Sequence, residues 1–406
     1  MGLGDYALII GTIIGLIILF QPRLIKWTQW RATVTPLASI IGSGFLVSGP
    51  ILSHVSGRWA WAAMLGLCFI GYLYGSVIRH NICYVEPQLA QKPQRKVLVV
   101  ERLSEFALVL AYFISIAFYL NLFAAFALRG FEIVDVVWIK VITSGVLVFL
   151  GLVGSFWGLN ALEKLEEYSV GLKLSVILGL CLALFVVSAV EVKSGDFFWP
   201  ELEHVLGLGE IQVLLGLIIL VQGFETSRYL GHAYDAEMRI KTMRMAQWIS
   251  TIIYIVFIVL ATRYFTGELP ETGGETEIIN LLKPVGFLII PLLIIAAMAS
   301  QFSAAIADMN GSGGLLAEAS GKRIDARWGY GIAALAALSI IWLADIYQII
   351  TLASKAFILY YGLQSLQAVL AIANGKSDVG KWRIAVYGAG MLLAVFVIIF
   401  ATPAGV

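Results

Sequence analysis

The sequence predicts an all-α, polytopic membrane protein with about twelve transmembrane helices, and three observations support this fold class. First, 60% of the 406 residues are hydrophobic and only 13% are charged, a composition too apolar for a soluble domain of this length to bury. Second, roughly a dozen apolar segments are close to the ~20 residues that a helix needs to cross a bilayer. Third, basic loops alternate with loops that carry few bases. Lipid is therefore expected to surround most of the chain.

The predicted spans follow one another along the whole chain. The first is the weakest, because its apolar core from Tyr6 to Phe20 is short for a full crossing. A cleaved signal peptide is the competing interpretation, but Asp5 stands where a basic residue is expected and no small-residue cleavage site follows. We therefore predict a retained helix. The apolar segments are 5–21, 34–54, 59–79, 103–128, 135–156, 165–190, 210–232, 244–265, 284–309, 328–344, 346–372 and 382–401.

Lysine and arginine residues predict the orientation of these spans, because translocating them is costly and they accumulate on the cytoplasmic side. Every second loop is basic, and two of the intervening loops, 191–203 and 268–277, are acidic. We predict a multi-pass protein of the inner membrane with its basic loops in the cytoplasm. The net charge of +1 gives no indication of a nucleic-acid partner. The basic loops hold Arg23, Lys26, Arg31, Arg79, Lys92, Arg95, Lys96, Arg102, Lys164, Arg239, Lys241, Arg244, Lys322, Arg323, Arg327, Lys376, Lys381 and Arg383.

The second apolar segment is interrupted near its middle, where Gly42 and Gly44 flank Ser43. Each glycine weakens a helix by roughly 1 kcal/mol relative to alanine and lets the backbone leave helical geometry. The N–H groups freed there are too costly to expose to lipid, so an opened turn would line a cavity. The N-terminal end of the following half-helix could then hold a carboxylate. A small-residue face for helix packing is an alternative of equal weight.

The seventh apolar segment has a second interruption, where Gly223 and Glu225 stand inside an apolar run. A charge at the centre of a membrane helix costs about 2.5–3.5 kcal/mol. Glu225 is therefore expected to face the bundle interior and to be either partnered or protonated. The alternative is an ion pair with Arg228, one turn later, that serves only structure. Together the two interruptions favour a cavity at the middle of the bilayer.

The two interruptions lie on the first and sixth helices, counted from the helix that carries Gly42. A five-plus-five inverted repeat places its two discontinuous helices at those positions. We therefore predict a five-plus-five inverted repeat with two discontinuous helices and an extra N-terminal helix. The predicted division is residues 1–30 for the extra helix, 31–192 for the first repeat, 193–374 for the second repeat and 375–406 for the C-terminal helix.

These motifs resemble those of the amino acid, polyamine and organocation (APC) transporter superfamily, which shares the LeuT-like fold of neurotransmitter–sodium symporters. Their order and spacing match over nearly the whole chain. The matching residues are Ile41-Gly42-Ser43-Gly44-Phe45 with Pro50 on the first helix, Leu159-Asn160 and Gly171-Leu172-Lys173-Leu174 at the fifth, Gly223-Phe224-Glu225 on the sixth, and Asp235-Ala236-Glu237-Met238-Arg239 after it.

The resemblance implies a secondary active transporter of an amino acid or a related small organic amine or cation, working by alternating access. It implies that the backbone at 42–44 holds the substrate carboxylate, and that carbonyls from Leu220 to Gly223 accept hydrogen bonds from its amine. Phe224 would be a gate or a pocket wall. Gln222 could either contact the substrate or satisfy the opened backbone. The predicted substrate-binding residues are Ile41, Gly42, Ser43, Gly44, Val221, Gln222, Gly223, Phe224 and Glu225.

Lys173 is the main candidate for ion coupling. It lies about two turns inside the fifth helix, too deep to snorkel easily, and burial lowers the cost of losing its proton. Similar family members with a lysine here often move protons or run without sodium. The paired hydroxyl residues that sodium-coupled relatives commonly carry on the eighth helix are not reproduced by Ser300 and Ser303. We predict proton coupling rather than sodium coupling, with Lys173 and Ser303 as the ion-coupling residues. A sodium-coupled carrier, or an exchanger in which Lys173 is only a structural donor to the first helix, is the alternative.

Other function classes find less support in the sequence. It contains no GxSxG elbow, Walker loop, complete dinucleotide fingerprint, HExxH motif or clustered Cys/His pattern. We therefore predict no enzymatic activity, no cofactor and no metal. A nutrient-sensing membrane receptor of the same fold, which binds ligand without transport, is the alternative function. The predicted partners are an amino acid-like solute, a coupling proton and the lipid bilayer, without nucleic acid.

Overall fold

The computed structural model describes residues 2–42, 44–91, 94–158, 160–202, 207–231, 233–321 and 323–404. Within these ranges all regular secondary structure is helical, which confirms the predicted all-α class. The α-helices are α1 (Leu3–Leu19), α2 (Pro22–Lys26), α3 (Thr28–Gly42), α4 (Phe45–Ser56), α5 (Ala60–Tyr84), α6 (Glu86–Leu89), α7 (Arg95–Arg129), α8 (Val136–Trp157), α9 (Asn160–Ser194), α10 (Leu208–Leu215), α11 (Ala236–Ala261), α12 (Ile278–Leu282), α13 (Ile289–Ala319), α14 (Ala326–Leu343), α15 (Ile346–Ala373) and α16 (Trp382–Phe400).

Most of these helices have the length and the apolar composition of membrane-spanning helices. Nine helical segments of the described chain are long and apolar enough to cross a membrane. Helix α1 is also apolar but has only 17 residues. Helices α3 and α4 are the two halves of one interrupted helix, and α10 is the first part of another. The polytopic helical class is therefore confirmed, while the full number of twelve crossings stays a prediction.

Helix α7 lies at the centre of the bundle. It packs against α13 and α15, and its side chains Phe118, Tyr119 and Phe126 are fully buried. The outer helices α8 and α16 instead carry large exposed apolar side chains, such as Phe149 and Leu392. Because lipid tails are as apolar as these side chains, such a surface is stable in a bilayer and would not be in water.

The extra N-terminal helix α1 packs along α9. A Cβ added to Gly11 would lie 2.7 Å from the Cα of Gly179, and one added to Gly15 would lie 2.7 Å from the Cα of Ser175. Small residues at these positions therefore let the two backbones approach closely. The side chain of Asp5 also accepts a hydrogen bond from the backbone N–H of Leu288 at 2.8 Å. Helix α1 is thus attached both to α9 and to the start of α13.

The two ends of the bundle carry different loops. At the end that we call the basic end, Arg102 donates a hydrogen bond to the carbonyl of Glu318 at 2.9 Å, which joins the start of α7 to the end of α13. At the opposite end, the acidic end, Nδ1 of His54 lies 3.0 Å from the carbonyl oxygen of Gly267. The basic end comprises the loops around 20–31, 85–102, 231–244, 320–327 and 374–383, and the acidic end those around 195–202 and 262–288.

Candidate solute site between two interrupted helices

The first predicted interruption separates α3 from α4. Helix α3 ends at Gly42 and α4 begins at Phe45, and Gly44 between them has φ −167° and ψ 11°, which is not helical. The flanking residues Ile41 and Phe45 are buried, with exposed fractions of 1% and 3%. Ser43 lies outside the described residues. The backbone therefore leaves the helix inside the bundle, as predicted for a discontinuous helix.

The second interruption follows α10. A 3₁₀ turn at Ile218–Val221 is followed by Gln222 in an extended conformation and by Gly223 at φ +116°, after which a 3₁₀ segment runs over Phe224–Leu230. A positive φ strains any residue with a Cβ, so glycine is needed at 223. A Cβ there would also lie 2.7 Å from the backbone nitrogen of Ile40. Both predicted discontinuous helices are therefore present, and their interruptions are in direct contact.

Tyr254 connects the two interrupted helices. Its hydroxyl oxygen lies 3.0 Å from the carbonyl oxygen of Ile40 and 2.6 Å from that of Leu220. Its ring is fully buried in the middle of α11. One phenol on a third helix thus contacts a backbone carbonyl of each interrupted helix. Tyr254 could not be recognised from the sequence, because a tyrosine in an apolar helix has no local signal for such a contact.

Glu225 is the charged group closest to the second interruption. It is fully buried, and its Oε2 accepts hydrogen bonds from the backbone N–H of Gly223 at 2.9 Å and from the hydroxyl of Tyr361 at 2.7 Å. Its other oxygen, Oε1, has no hydrogen-bond partner among the described residues. Arg228 does not pair with it but contacts Glu101 at 2.9 Å. The structural ion pair considered as an alternative is therefore absent from the described part of the chain.

Aromatic rings form one wall beside Glu225. The ring of Phe224 stacks on Tyr361 with centroids 5.0 Å apart, and Tyr361 in turn stacks on Tyr74 at 5.2 Å and on Phe357 at 6.4 Å. The hydroxyl of Tyr361 also binds the Glu225 carboxyl. Phe224 therefore lies in the wall of the site, and the same wall supplies a donor to the buried acid.

Polar side chains of α7 and α13 face the same region. The amide nitrogen of Gln222 donates to the hydroxyl of Tyr119 at 3.0 Å, while its amide oxygen has no partner among the described residues. One turn of α7 away, Ser115 donates to the buried carboxyl of Asp308. Asp308 was not singled out from the sequence, although an acid inside the apolar run of α13 is itself a signal of function. A second buried carboxyl thus contacts α7 one turn from the residue that Gln222 contacts.

Lys173 reaches the other face of the first interruption. It is only 2% exposed, and its Nζ donates to the carbonyl of Ala38 at 2.7 Å and lies 3.5 Å from the Ser300 hydroxyl. A Cβ added to Gly42 would lie 3.3 Å from that Nζ. The hydroxyl of Ser303 instead bonds the carbonyl of Ser300 on its own helix at 3.4 Å. Lys173 therefore places a cation against the opened end of α3, whereas the hydrogen bond that the described residues show for the Ser303 hydroxyl lies within α13. The predicted role of Ser303 in ion coupling stays a prediction.

A small cavity of about 20 Å³ lies beside this lysine and the first interruption. Its lining includes Gly42, Phe45, Lys173 and Ser300. By volume it holds about one water molecule. The described residues contain no group of three or more His, Cys, Asp or Glu side chains that could hold a metal ion. The polar side chains among its lining residues are Lys173, Ser300 and Gln301.

The family model described as APC superfamily transporter matches residues 22–401. The chain belongs to the APC superfamily of transporters. An uncharacterized protein of Aquifex aeolicus (strain VF5) is 40% identical over 408 residues, which cover 98% of this chain and 97% of that protein. The family predicted from the sequence is thus confirmed.

Two solved structures resemble this APC transporter in fold. One is a Na⁺-coupled sialic acid symporter in a substrate-bound outward-open state, with a TM-score of 0.54, 16% identity, and coverage of 99% of this chain and 98% of that chain. The other is a manganese transporter of Eremococcus coleocola, with a TM-score of 0.60, 12% identity, and coverage of 91% and 86%. The predicted LeuT-like fold is therefore confirmed; at such low identity the comparison carries the fold alone.

A cluster of charged side chains lies between Glu225 and the basic end of the APC transporter. We call it the basic-end cluster. Arg228 binds Glu101 at 2.9 Å and lies 3.7 Å from Glu86, which also binds Arg239 at 2.7 Å. Arg228 donates a further hydrogen bond to the side chain of Gln364. These contacts join four helices, α6, α7, α11 and α15, to the end of the interrupted helix.

Proposed function

We propose that this APC superfamily transporter is a proton-coupled secondary carrier of an amino acid or a related small organic amine. The observation that carries the proposal is the contact between the two interruptions, with the buried Glu225 beside them. Ionised carboxyls are costly at bilayer depth unless they are partnered. Since no described side chain supplies a cation to Glu225, a solute ammonium or a proton is the natural partner.

The two opened turns supply complementary groups for such a solute. We propose that the backbone around Ile41, Gly42, Ser43 and Gly44 binds the carboxylate, and that the segment Val221–Glu225 binds the amine. The N-terminal end of α4 points its first N–H groups into the interruption, which suits an anion. The carbonyls and the Glu225 carboxyl on the other helix suit a cation. The aromatic wall at Phe224 would exclude water from the bound solute.

We further propose that Lys173 couples transport to protons. Its ammonium holds the carbonyl of Ala38 at the end of α3, so loss of the proton would weaken that hold on the half-helix. Protonation would then bias α3 between two positions, which is what coupling requires. Ser303, whose hydroxyl bonds within α13, is assigned a secondary role. The basic end would face the cytoplasm of the inner membrane, and the two repeats would span 31–192 and 193–374.

The experiment is uptake into proteoliposomes under separate pH and sodium gradients, with radiolabelled alanine, leucine, arginine and putrescine as probes. We expect accumulation of at least one probe that follows the pH gradient and is indifferent to sodium. Binding of a probe without flux under any gradient would contradict transport and favour a receptor.

Lys173→Ala should abolish pH-driven accumulation while leaving some solute binding, because the variant loses the titrating group but keeps both opened turns. The matched control is Lys355→Ala on α15, since Lys355 is a half-buried lysine that does not line the cavity beside Lys173. Its uptake should equal that of the wild type. Undiminished pH-driven uptake by Lys173→Ala would refute the assignment of Lys173.

A further inference from the structure

A second cavity, of about 320 Å³, opens at the acidic end of the bundle. It lies between the loop residues 269–275, the first turn of α8 and the first residues of α15, with Ala404 at its edge. It shares no lining residue with the cavity beside Lys173. Ligand pockets in proteins usually measure about 300–1,000 Å³. The acidic-end cavity therefore has the size for one small solute.

The lining of this cavity is rich in acids. Glu271, Glu275 and Asp345 line it, and Lys140 is the single basic residue in its described lining. Glu275 is only 5% exposed. Burial raises the pKa of Glu275 above its usual value, whereas the neighbouring Arg129 acts in the opposite direction. Because Glu275 is buried, its ionised carboxyl is poorly solvated, so a cation brought next to it would be bound more strongly than on an open surface.

A buried phenol oxygen without a partner completes the site. Tyr347 lines the cavity and is 8% exposed, and its hydroxyl has no hydrogen-bond partner among the described residues. The hydroxyl lies against Gly274, where an added Cβ would be 2.2 Å away. Buried hydroxyls in proteins are nearly always hydrogen-bonded. A ligand that donates hydrogen bonds would satisfy Tyr347 and the Glu275 carboxyl together.

We propose that the acidic-end cavity is a second binding site, for a small organic ammonium ion, which it holds between Glu275 and Tyr347. An ammonium group donates up to three hydrogen bonds, and its positive charge attracts the ionised carboxyl of Glu275. A metal ion is a poorer fit, because the described residues contain no group of three metal-ligating side chains. Binding of an ammonium ion in this cavity does not depend on the proposed function. A role for the cavity in binding the transported solute before it reaches the central site rests on the proposed function.

The test uses the whole protein in nanodiscs, with n-propylammonium as the probe and 1-propanol as its neutral counterpart. Saturation-transfer NMR titrations are made in a Glu225→Gln background, so that the central site contributes little. Glu275→Gln is compared with Glu268→Gln, which removes the same charge from an exposed residue of the same loop outside the cavity. We expect Glu275→Gln to raise the Kd of propylammonium at least about tenfold, or ~1.4 kcal/mol, and Glu268→Gln to leave it unchanged. Equal Kd values for the two variants would overturn the proposal.

The pH dependence provides a second readout. The ammonium needs an ionised carboxyl, so affinity should fall as the pH is lowered through the raised pKa of Glu275. Glu271, Glu277, Asp345, Lys140 and Arg129 also surround the cavity or face this loop, and they remain in Glu275→Gln. That variant should therefore show a flatter pH profile. If the affinity for propylammonium changed equally steeply with pH with and without the Glu275→Gln substitution, another acid would be titrating and the proposal would be contradicted.

A labelling measurement covers the case in which Glu275→Gln fails to fold. Thr272 is exposed and lines the cavity, so Thr272→Cys in a Cys83→Ser background gives a reporter there. Propylammonium should slow its reaction with a methanethiosulfonate reagent several-fold, and propanol should not. Equal rates would overturn the proposal. If propylammonium binding depended on Glu275 but no proton-driven uptake were found, only the proposed function would be contradicted. If proton-driven uptake were found but binding did not depend on Glu275, only the second binding site would be contradicted.

Discussion

The central site and the basic-end cluster lie on the same interrupted helix, but they differ in whether their buried charged groups have partners in the protein. Glu225 has one carboxyl oxygen without a partner among the described residues, whereas Arg228, three residues later, is held by Glu101, Glu86 and Gln364. A buried charge with its partners in the protein holds helices together, and one without them is available to a ligand or a proton. The two regions should therefore respond differently to substitution.

The largest effect on stability is expected for Arg228→Met. Removing one partner of a buried ion pair leaves the other uncompensated and costs about 3–5 kcal/mol. Thermal unfolding of the purified protein in detergent measures the loss. Arg102→Met is the matched control, because the Arg102 side chain is 45% exposed in its pair with Glu105 and exposed pairs contribute only about 0–1 kcal/mol. The double variant Arg228→Met/Glu101→Met should recover part of the loss; unfolding of Arg228→Met at the wild-type temperature would contradict the comparison.

A smaller loss is expected for Tyr254→Phe. The substitution removes the hydroxyl that lies between the carbonyls of Ile40 and Leu220, and a hydrogen bond of this kind contributes about 0.5–1.5 kcal/mol to stability. The control is Tyr264→Phe, because the Tyr264 hydroxyl has no partner among the described residues. The same thermal measurement applies. If both variants lost equal stability, Tyr254 would not be a link between the two interruptions.

The smallest effect on stability, about 1 kcal/mol or less, is expected for Glu225→Gln. The amide keeps an oxygen that accepts from Gly223 and Tyr361, and no described cation is left without a partner. Uptake, however, should fall at least about tenfold, which corresponds to ~1.4 kcal/mol of lost solute binding. Glu237→Gln, at an exposed position of α11, serves as the control. A large loss of stability with unchanged uptake would show that Glu225 stabilises the fold, as Arg228 does, and does not bind the solute.

Local sequence patterns predict the backbone of this site better than its contacts. Gly42, Gly44 and Gly223 can be recognised as interruptions because glycine weakens a helix wherever the fold places it. Glu225 can be recognised because charge is costly in a membrane. Both signals are local, so the discontinuous helices and the fold could be predicted. Ser43, at the centre of the first interruption, lies outside the described residues, and its role stays a proposal.

The partners of those residues could not be predicted, because they are distant in the sequence. Arg228 meets Glu101 across 127 positions and Tyr361 meets Glu225 across 136. Within one segment Arg228 is the obvious partner for Glu225, since both lie on the same short helical stretch. Only the packing of α7 and α15 against the interrupted helix shows that each finds a different partner.

The glycine contacts between α1 and α9 affect the surroundings of Lys173. Phe20, Gly15 and Gly11 cover Gly171, Ser175 and Gly179, which lie on successive turns of α9 around the lysine. Large apolar side chains on the outer face of α1, such as Ile13 and Ile17, are exposed. An additional layer of protein thus insulates the helix that carries the ammonium from hydrocarbon. Under the proposed coupling, protons would therefore reach Lys173 from the interior of the bundle rather than through the flank of α9 that α1 covers.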